Sequence, residues 1–497
     1  MPLDPSCVSA AGLRLDFSRH AAQSLADAQA VLQGLAHRPA ELIAGNRLNS
    51  SEDRAAWHLL ARQGAEGVDA ESRTAVEFLR AESERASAWV RSVVQAGEMP
   101  LDIIHLGIGG CDAPLRAAFG ALAATMEPRC RIHWVANLDG ATLRQALAAC
   151  DPANTWVLVN SKSFGTQEVL RSAQVVLRWL QGHWGQEGAA RRLVALTADP
   201  ERARNSLGIP EGQIFRSLPE IGGRFSLWSV HGLVLTLAFG ETVVAHMHAG
   251  GLAMDQHVLQ TPVAQSAPGL LAGLSCITRS RSGQDLLSIA LYGDAFAPTC
   301  LYLQQLLMES LGKCVAADGD TPLSLSGPVV LAGVGTSAQH SYFQYLHQSG
   351  HAALHEFIAV RQAWHEYPEH HRGLLANALA QAEALWRGRS PAEWEAHFLN
   401  LGQSPEQAAR NARQRACGGG QPSTFIWLER LDAFHLGALL ALYEHRTVVE
   451  GWLLGVNPFD QWGVELGKTL AASIERDQLA NLAGGLCDHC DQQAAMA

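Results

Sequence analysis

Residues Phe459-Asp460-Gln461-Trp462-Gly463-Val464-Glu465-Leu466-Gly467-Lys468 bring together an amide, two carboxylates, an indole and a lysine, punctuated by glycine. Such a mixture makes poor core and poor linker. It suits a backbone held close to a ligand, with Lys468 donating hydrogen bonds to a sugar or phosphate oxygen or exchanging a proton. The same spacing also reads as the start of an amphipathic helix with a solvated lysine. Further upstream, Ser161-Lys162-Ser163-Phe164-Gly165-Thr166-Gln167-Glu168 places three hydroxyls before a helical stretch. Hydroxyls and free N–H groups at a helix start can hold a phosphate monoester, although serine and threonine also serve as ordinary caps. Gly222-Gly223-Arg224-Phe225-Ser226-Leu227-Trp228-Ser229 presents an arginine behind two glycines, either a surface turn or a fixed cation for developing negative charge. Met308-Glu309-Ser310-Leu311-Gly312-Lys313 ends an apolar run with a carboxylate, which is either a polar helix end or a partly buried general base. Gly335-Thr336-Ser337-Ala338-Gln339-His340 delivers a histidine suited to proton transfer near neutrality.

These groups need strands and helices to aim them. Residues 12 to about 100 read as helices, Ala-, Leu- and Arg-rich with apolar residues at three-to-four spacing. Short apolar runs of strand type then appear at 103–108, 132–136, 156–160, 193–197 and 214–218, several separated by helical stretches. Such alternation predicts a parallel sheet covered by helices. Residues 232–257 and 286–311 read as apolar helices, and a second alternating region includes strands at 329–332, 355–360 and 424–428. The fold class is therefore α/β with two lobes. The expected divisions are a helical N-terminal segment (1–95), a first lobe (96–245), a second lobe (246–480) and a tail (481–497). In open parallel sheets ligands sit beyond the carboxyl ends of the strands, so the residues following each strand matter most.

Composition narrows the function classes. With 497 residues, 47% of them hydrophobic and 17% charged, the chain can build large globular cores. Its net charge of −11, with no dense Lys/Arg cluster, argues against a nucleic-acid surface. No apolar run reaches the ~20 residues a membrane helix needs. No basic end leads into an apolar run, so no leader peptide is expected, and the ten scattered cysteines read as reduced thiols of a cytoplasmic protein. The pair Cys487 and Cys490 lacks the second ligand pair of a zinc site. The loop Gly107-Ile108-Gly109-Gly110-Cys111-Asp112 approaches a dinucleotide fingerprint, but Asp112 replaces the third glycine and would face a pyrophosphate. What remains is close backbone approach, at Gly110 among others, to a smaller ligand. Neither a metal nor an organic cofactor is expected.

Taken in order, S-K-S-F-G-T-Q-E, G-G-R-F-S-L-W-S, M-E-S-L-G-K, G-T-S-A-Q-H and F-D-Q-W-G-V-E-L-G-K resemble the glucose-6-phosphate isomerase family, and the likeness runs through nearly the whole chain, including N-S-S-E-D-R-A-A-W-H-L-L at 49–60. The resemblance implies two sugar-isomerase (SIS-type) α/β/α lobes and reversible conversion of glucose 6-phosphate to fructose 6-phosphate, without metal or organic cofactor. It implies that Ser161, Lys162, Ser163 and Thr166 hold the phosphate, and that Gly110 and Gln461 contact or position the substrate. His340 and Lys468 would serve ring opening, and Glu309 would carry the proton between C2 and C1 through a cis-enediolate that Arg224 stabilises. In the family the histidine comes from the neighbouring subunit, which implies a homodimer. The chain departs from the family pattern at Cys111 (usually serine), Gly165 (usually a hydroxyl residue), Leu311 (usually asparagine), Ser337-Ala338, Pro219 and His231. Leu311 beside Glu309 is expected to desolvate the base. A phosphosugar-binding sensor with weakened catalysis is the alternative reading of these departures.

Overall fold

The first described element is a hairpin, β1 (Cys7–Ala10) and β2 (Leu13–Arg19), in a computed structural model that describes residues 6–44, 46–64 and 68–479. This is a departure from the helical reading of the N-terminal segment. Ala11 and Gly12 take φ of 49° and 79°, the backbone of a tight two-residue turn whose twist matches paired strands. Helices do supply the rest of that segment, notably Ala70–Gln95, whose N-cap Asp69 accepts a hydrogen bond from the Ser72 backbone N–H.

The first sheet contains β3 (Asp102–Leu106), β4 (Arg131–Val135), β5 (Thr155–Asn160), β6 (Leu193–Thr197) and β7 (Ile214–Arg216), all parallel, in the order β4-β3-β5-β6-β7. Every residue of β3, β5 and β6 is buried, which is why those strands read as continuous apolar runs rather than alternating ones. The order reverses at β3, so the crevice between the carboxyl ends of β3 and β5 is the natural ligand position of this sheet.

The second sheet contains β8 (Leu286–Tyr292), β9 (Val329–Val334), β10 (Leu354–Val360) and β11 (Ser423–Leu428), mutually parallel. Its order is β1-β2-β11-β10-β8-β9, with the N-terminal hairpin joined antiparallel to β11. Residues 286–292 therefore form a strand where helix was expected. A short apolar run cannot be told from a buried helix by periodicity alone. Gly293, at φ 147°, ends the strand before the helix Ala297–Leu311.

The helix Ala433–Leu454 is buried from residue 435 to 451 and carries charge into the interior. Arg62 donates to Asp255 at 2.6 Å and to Glu444 at 2.6 Å, and Arg279 meets Glu450 at 2.8 Å. Removing one partner of such a pair would strand a buried charge. The Arg62 pairs fasten the N-terminal segment to the helices Glu241–Gln260 and Ala433–Leu454, and the Arg279 pair joins Ala267–Ser282 to Ala433–Leu454. The expected division at 245/246 falls within the continuous helix Glu241–Gln260. Among the described residues no helix is long and apolar enough to cross a membrane. The tail at 481–497, with Cys487 and Cys490, lies outside the described residues.

Candidate active site

The loops after β3 and β5 face each other at the switch point. After β5, Ser161 is buried, and its hydroxyl donates to Thr166 Oγ1 at 3.4 Å across the turn. Phe164 adopts φ 46° with its ring fully buried, which turns the loop back on itself. Gly165 N–H donates to Ser163 Oγ at 3.3 Å. Thr166 is the N-cap residue of the helix Gln167–Ala190, yet its side chain makes no capping hydrogen bond. Its hydroxyl and the free N–H groups of that helix start are thus available to an anion. Burial lowers the pKa of Lys162, with the nearby Glu52 opposing.

The loop after β3 is pressed against the arginine turn. A side chain at Gly110 would collide with the Arg224 backbone nitrogen, so only glycine lets the two backbones meet. Burial pushes the Cys111 thiol up from its ordinary value, opposed by the Lys162 backbone N–H and ammonium. The two loops therefore touch through Cys111 and Lys162. Asp112 points inward, with Arg116 Nε 2.6 Å away and His105 Nδ1 at 3.7 Å. Burial holds His105 down to about 3, and it raises the Asp112 carboxyl to about 6 despite Arg116.

That displacement predicts a stability profile. The Asp112 pKa stands above its ordinary 3.8 in the folded state, so its stabilising contribution is complete below pH 3.8 and is lost as pH rises through about 6. The loss amounts to ~3 kcal/mol. Asp112→Asn is expected to flatten this fall between about pH 4 and pH 6 in urea unfolding. An unchanged slope would mean that another group titrates there.

Arg224 lies at the centre of the cleft, 2% exposed. Its Nε donates to Ser310 Oγ at 2.6 Å, and its Nη2 donates to the carbonyls of Pro458 at 2.7 Å and Asp460 at 3.0 Å. Nη1 donates to Gln461 Oε1 at 3.0 Å and stands 3.3 Å from Glu309 Oε1. Burial works against the guanidinium's charge, and Glu309 and Asp460 offset it. Three nitrogens are thus tied down, and the one shared by Gln461 and Glu309 borders the cleft. His231, one of the departures, is buried nearby. Its Nδ1 lies 2.5 Å from Asn160 Oδ1 and its Nε2 lies 2.9 Å from Ser217 Oγ, which fastens the arginine segment to the ends of β5 and β7.

Glu309 closes the helix Ala297–Leu311, its side chain 25% exposed. Gln305, one turn earlier, donates to Glu309 Oε2 at 2.8 Å and also borders Gly109, so it bridges the carboxylate to the β3 loop. Leu311 is fully buried in the core. Two residues along a helix are turned by about 200°, so Leu311 does not wall in Glu309 as expected. Lys313, one turn further on, donates to the carbonyls of Glu309 and Ser310 at 3.2 and 2.8 Å and pairs with Asp460 at 3.1 Å. Burial lowers the Lys313 pKa, and Asp460 restores part of it. The 457–461 loop is anchored in turn by the N-terminal segment: Asn457 Nδ2 donates to Asn49 Oδ1 at 2.9 Å, and Ser51 Oγ donates to Asp460 Oδ2. Gln305, Lys313, Ser51 and Asn457 were not anticipated. The helical i,i+4 spacing around Glu309 was the available signal for the first two.

Two expected members lie apart. Lys468 sits on the helix Glu465–Leu479, its side chain 62% exposed and paired with Glu465 at 2.7 Å. The opening decapeptide therefore divides, with Phe459 and Asp460 buried, Gln461 at the cleft, and Trp462 onward exposed. His340 is exposed after the short helix Gly335–Gln339, which follows β9. The helix bearing Glu309 leads from the carboxyl end of β8 back to the start of the parallel β9. Glu309 and His340 consequently lie at opposite ends of β9, a strand of 6 residues and about 20 Å.

A family model for phosphoglucose isomerase matches residues 16–489. The chain is 40% identical over 476 residues to a glucose-6-phosphate isomerase of Bordetella petrii, covering 95% of this chain and 89% of that one. It is 38% identical over 474 residues to the enzyme of that name from Bordetella pertussis, with the same coverage. A crystal structure of a glucose-6-phosphate isomerase from Chlamydia trachomatis superposes with a TM-score of 0.83 at 25% identity, covering 98% of this chain and 92% of that one. A Thermus thermophilus protein shares the fold at a TM-score of 0.65 and 23% identity, covering 94% of this chain and all of that one. With the match spanning both sheets and the cleft between Arg224 and Glu309, the chain belongs to the phosphoglucose isomerase family.

Proposed function

We propose that this protein interconverts glucose 6-phosphate and fructose 6-phosphate. The observation that carries the proposal is the Glu309 carboxylate held 3.3 Å from the buried Arg224 guanidinium, in a chain of this family. An aldose–ketose shift needs a base whose conjugate acid returns the proton, beside a cation for the charge that builds on oxygen. Ring opening transfers the C1 hydroxyl proton to the ring oxygen and leaves an aldehyde at C1. Glu309 then removes the C2 proton, and the electron pair passes to O1 as a cis-enediolate. Arg224, fixed by Ser310, Pro458 and Asp460, stabilises that charge without reorganising. Glu309 returns its proton to C1 while the O2 proton moves to O1, which gives the ketose.

Ser161, Lys162, Ser163 and Thr166 bind the phosphate at the switch point, Gly110 lets the β3 loop approach, and Gln461 positions the sugar. Lys468 lies about 10 Å of helix rise from Gln461. Its exposed pairing with Glu465 is a weak restraint, so it can turn toward a bound sugar to serve ring opening. His340 reaches the cleft from a second copy, because within one chain β9 separates it from Glu309. The working unit is thus a homodimer in the cytoplasm.

A coupled assay with fructose 6-phosphate tests the reaction. Glucose 6-phosphate is expected well above background. Tight phosphosugar binding without turnover, and without exchange of the C2 proton into solvent, would instead make this a sensor on the same fold.

A further inference from the structure

We infer that Arg202 is an additional phosphate ligand, reaching the substrate through the space left open at Gly165. The inference rests on the phosphate loop assigned above. A side chain at Gly165 would lie 2.7 Å from Arg202 Nη1 and 3.1 Å from its Cζ, so the guanidinium stands where a residue larger than glycine would project. Among the described residues that guanidinium has no ion pair and no hydrogen bond, and the hydrogen bonds of Arg202 are made by its backbone. Three other arginines near the cleft are already engaged: Arg224 by Glu309 and Gln461, Arg116 by Asp112, Arg54 by Glu52. Arg202 alone of these is an uncommitted cation.

Its backbone is also tied to the loop it would serve. Arg202 lies in the helix Pro200–Leu207, and its N–H donates to Asp199 Oδ1 at 3.0 Å. Asp199 N–H donates to Thr197 Oγ1 at 3.0 Å. Thr197 Oγ1 and Ala198 N–H both donate to the carbonyl of Lys162, at 3.0 and 2.8 Å. A continuous chain of hydrogen bonds therefore joins the helix start to the phosphate loop. A phosphate held by the hydroxyls of Ser161, Ser163 and Thr166 would then gain, beside Gly165, a planar guanidinium that can bind two phosphate oxygens at once. A serine at 165 would carry a hydroxyl there; glycine instead leaves that space to the charged Arg202 guanidinium. A dianionic phosphate gains more from that exchange than a neutral or singly charged group would.

The test compares wild type with R202Q, R202K and the double variant G165S/R202Q, all full length. R202Q is expected to raise KM for fructose 6-phosphate and the inhibition constant of inorganic phosphate by about tenfold each, equivalent to ~1.4 kcal/mol, with kcat within twofold. R202K should recover part of the loss by charge, and G165S/R202Q part of it by hydroxyl. Constants within twofold of wild type in R202Q would overturn the assignment. So would a fall in kcat with KM unchanged, which marks a structural role. Calorimetric titration with inorganic phosphate reads the same contact without turnover. Failure of the wild-type chain to isomerise would therefore defeat the reaction proposed above, while R202Q would still decide the phosphate contact.

Discussion

Glu309→Gln is expected to lower the isomerisation rate by about 10³-fold while leaving phosphosugar affinity within a few-fold, because positioned acid–base groups contribute roughly 10²–10⁴. The substitution conserves volume and removes the basic oxygen. The amide can still accept from Gln305, so the link from residue 309 to the Gly109 loop survives. Arg224 keeps its bonds to Ser310, Gln461, Pro458 and Asp460, so the guanidinium stays in place. The groups proposed to hold the phosphate lie on the β5 loop, away from the change. The loss should accordingly fall on kcat rather than on KM, the mark of an interaction used in the transition state. Exchange of the substrate C2 proton with solvent should vanish in parallel. Exchange at the wild-type rate would remove Glu309 as the base, and a large rise in KM with kcat intact would recast it as a binding group.

How far the sequence reveals this cleft depends on what each feature needs. The β3 and β5 strands were legible because both faces are covered, which forces an unbroken apolar run with the ligand loop directly after it. The α/β class with two parallel sheets followed from the same runs. The N-terminal hairpin was hidden because its turn uses Ala11-Gly12 rather than the usual Asn-Gly or Asp-Gly. Strand β8 was hidden because it flows into an apolar helix across a short turn at 293–296. Within the cleft, the resemblance named Arg224 and Glu309, but no local pattern states that residues 85 positions apart stand 3.3 Å from each other. The supporting groups were harder still. Ser51 and Asn457 are ordinary loop residues until the fold sets one beside the other. The opening decapeptide, read as one unit, serves two ends: Asp460 and Gln461 build the wall behind Arg224, while Lys468 projects from an exposed helix.

A mixture of two inactive variants is expected to regain about a quarter of wild-type activity if the cleft is completed across a two-fold dimer. The variants are Glu309→Gln and His340→Ala, each alone expected at about 1% or less of wild type from the loss of an acid–base group. The reason lies in the chain path. Parallel pairing of β8 and β9 obliges the connecting helix to run back along the sheet, which puts Glu309 at the amino end of β9 and His340 beyond its carboxyl end. No side chain spans that separation, so a site that uses both must draw them from different copies. In a hybrid dimer one site then carries both substitutions, and the other combines Glu309 with His340, intact. Random pairing at equal amounts makes about half the dimers hybrids, each with one working site of two. A site completed within one chain would give the opposite result, since both sites of every hybrid would carry one defect and mixing would restore nothing. Co-expression with two affinity tags isolates the hybrid, and its activity per dimer decides between the two arrangements. A chain that sediments as a monomer while fully active would exclude the shared site altogether.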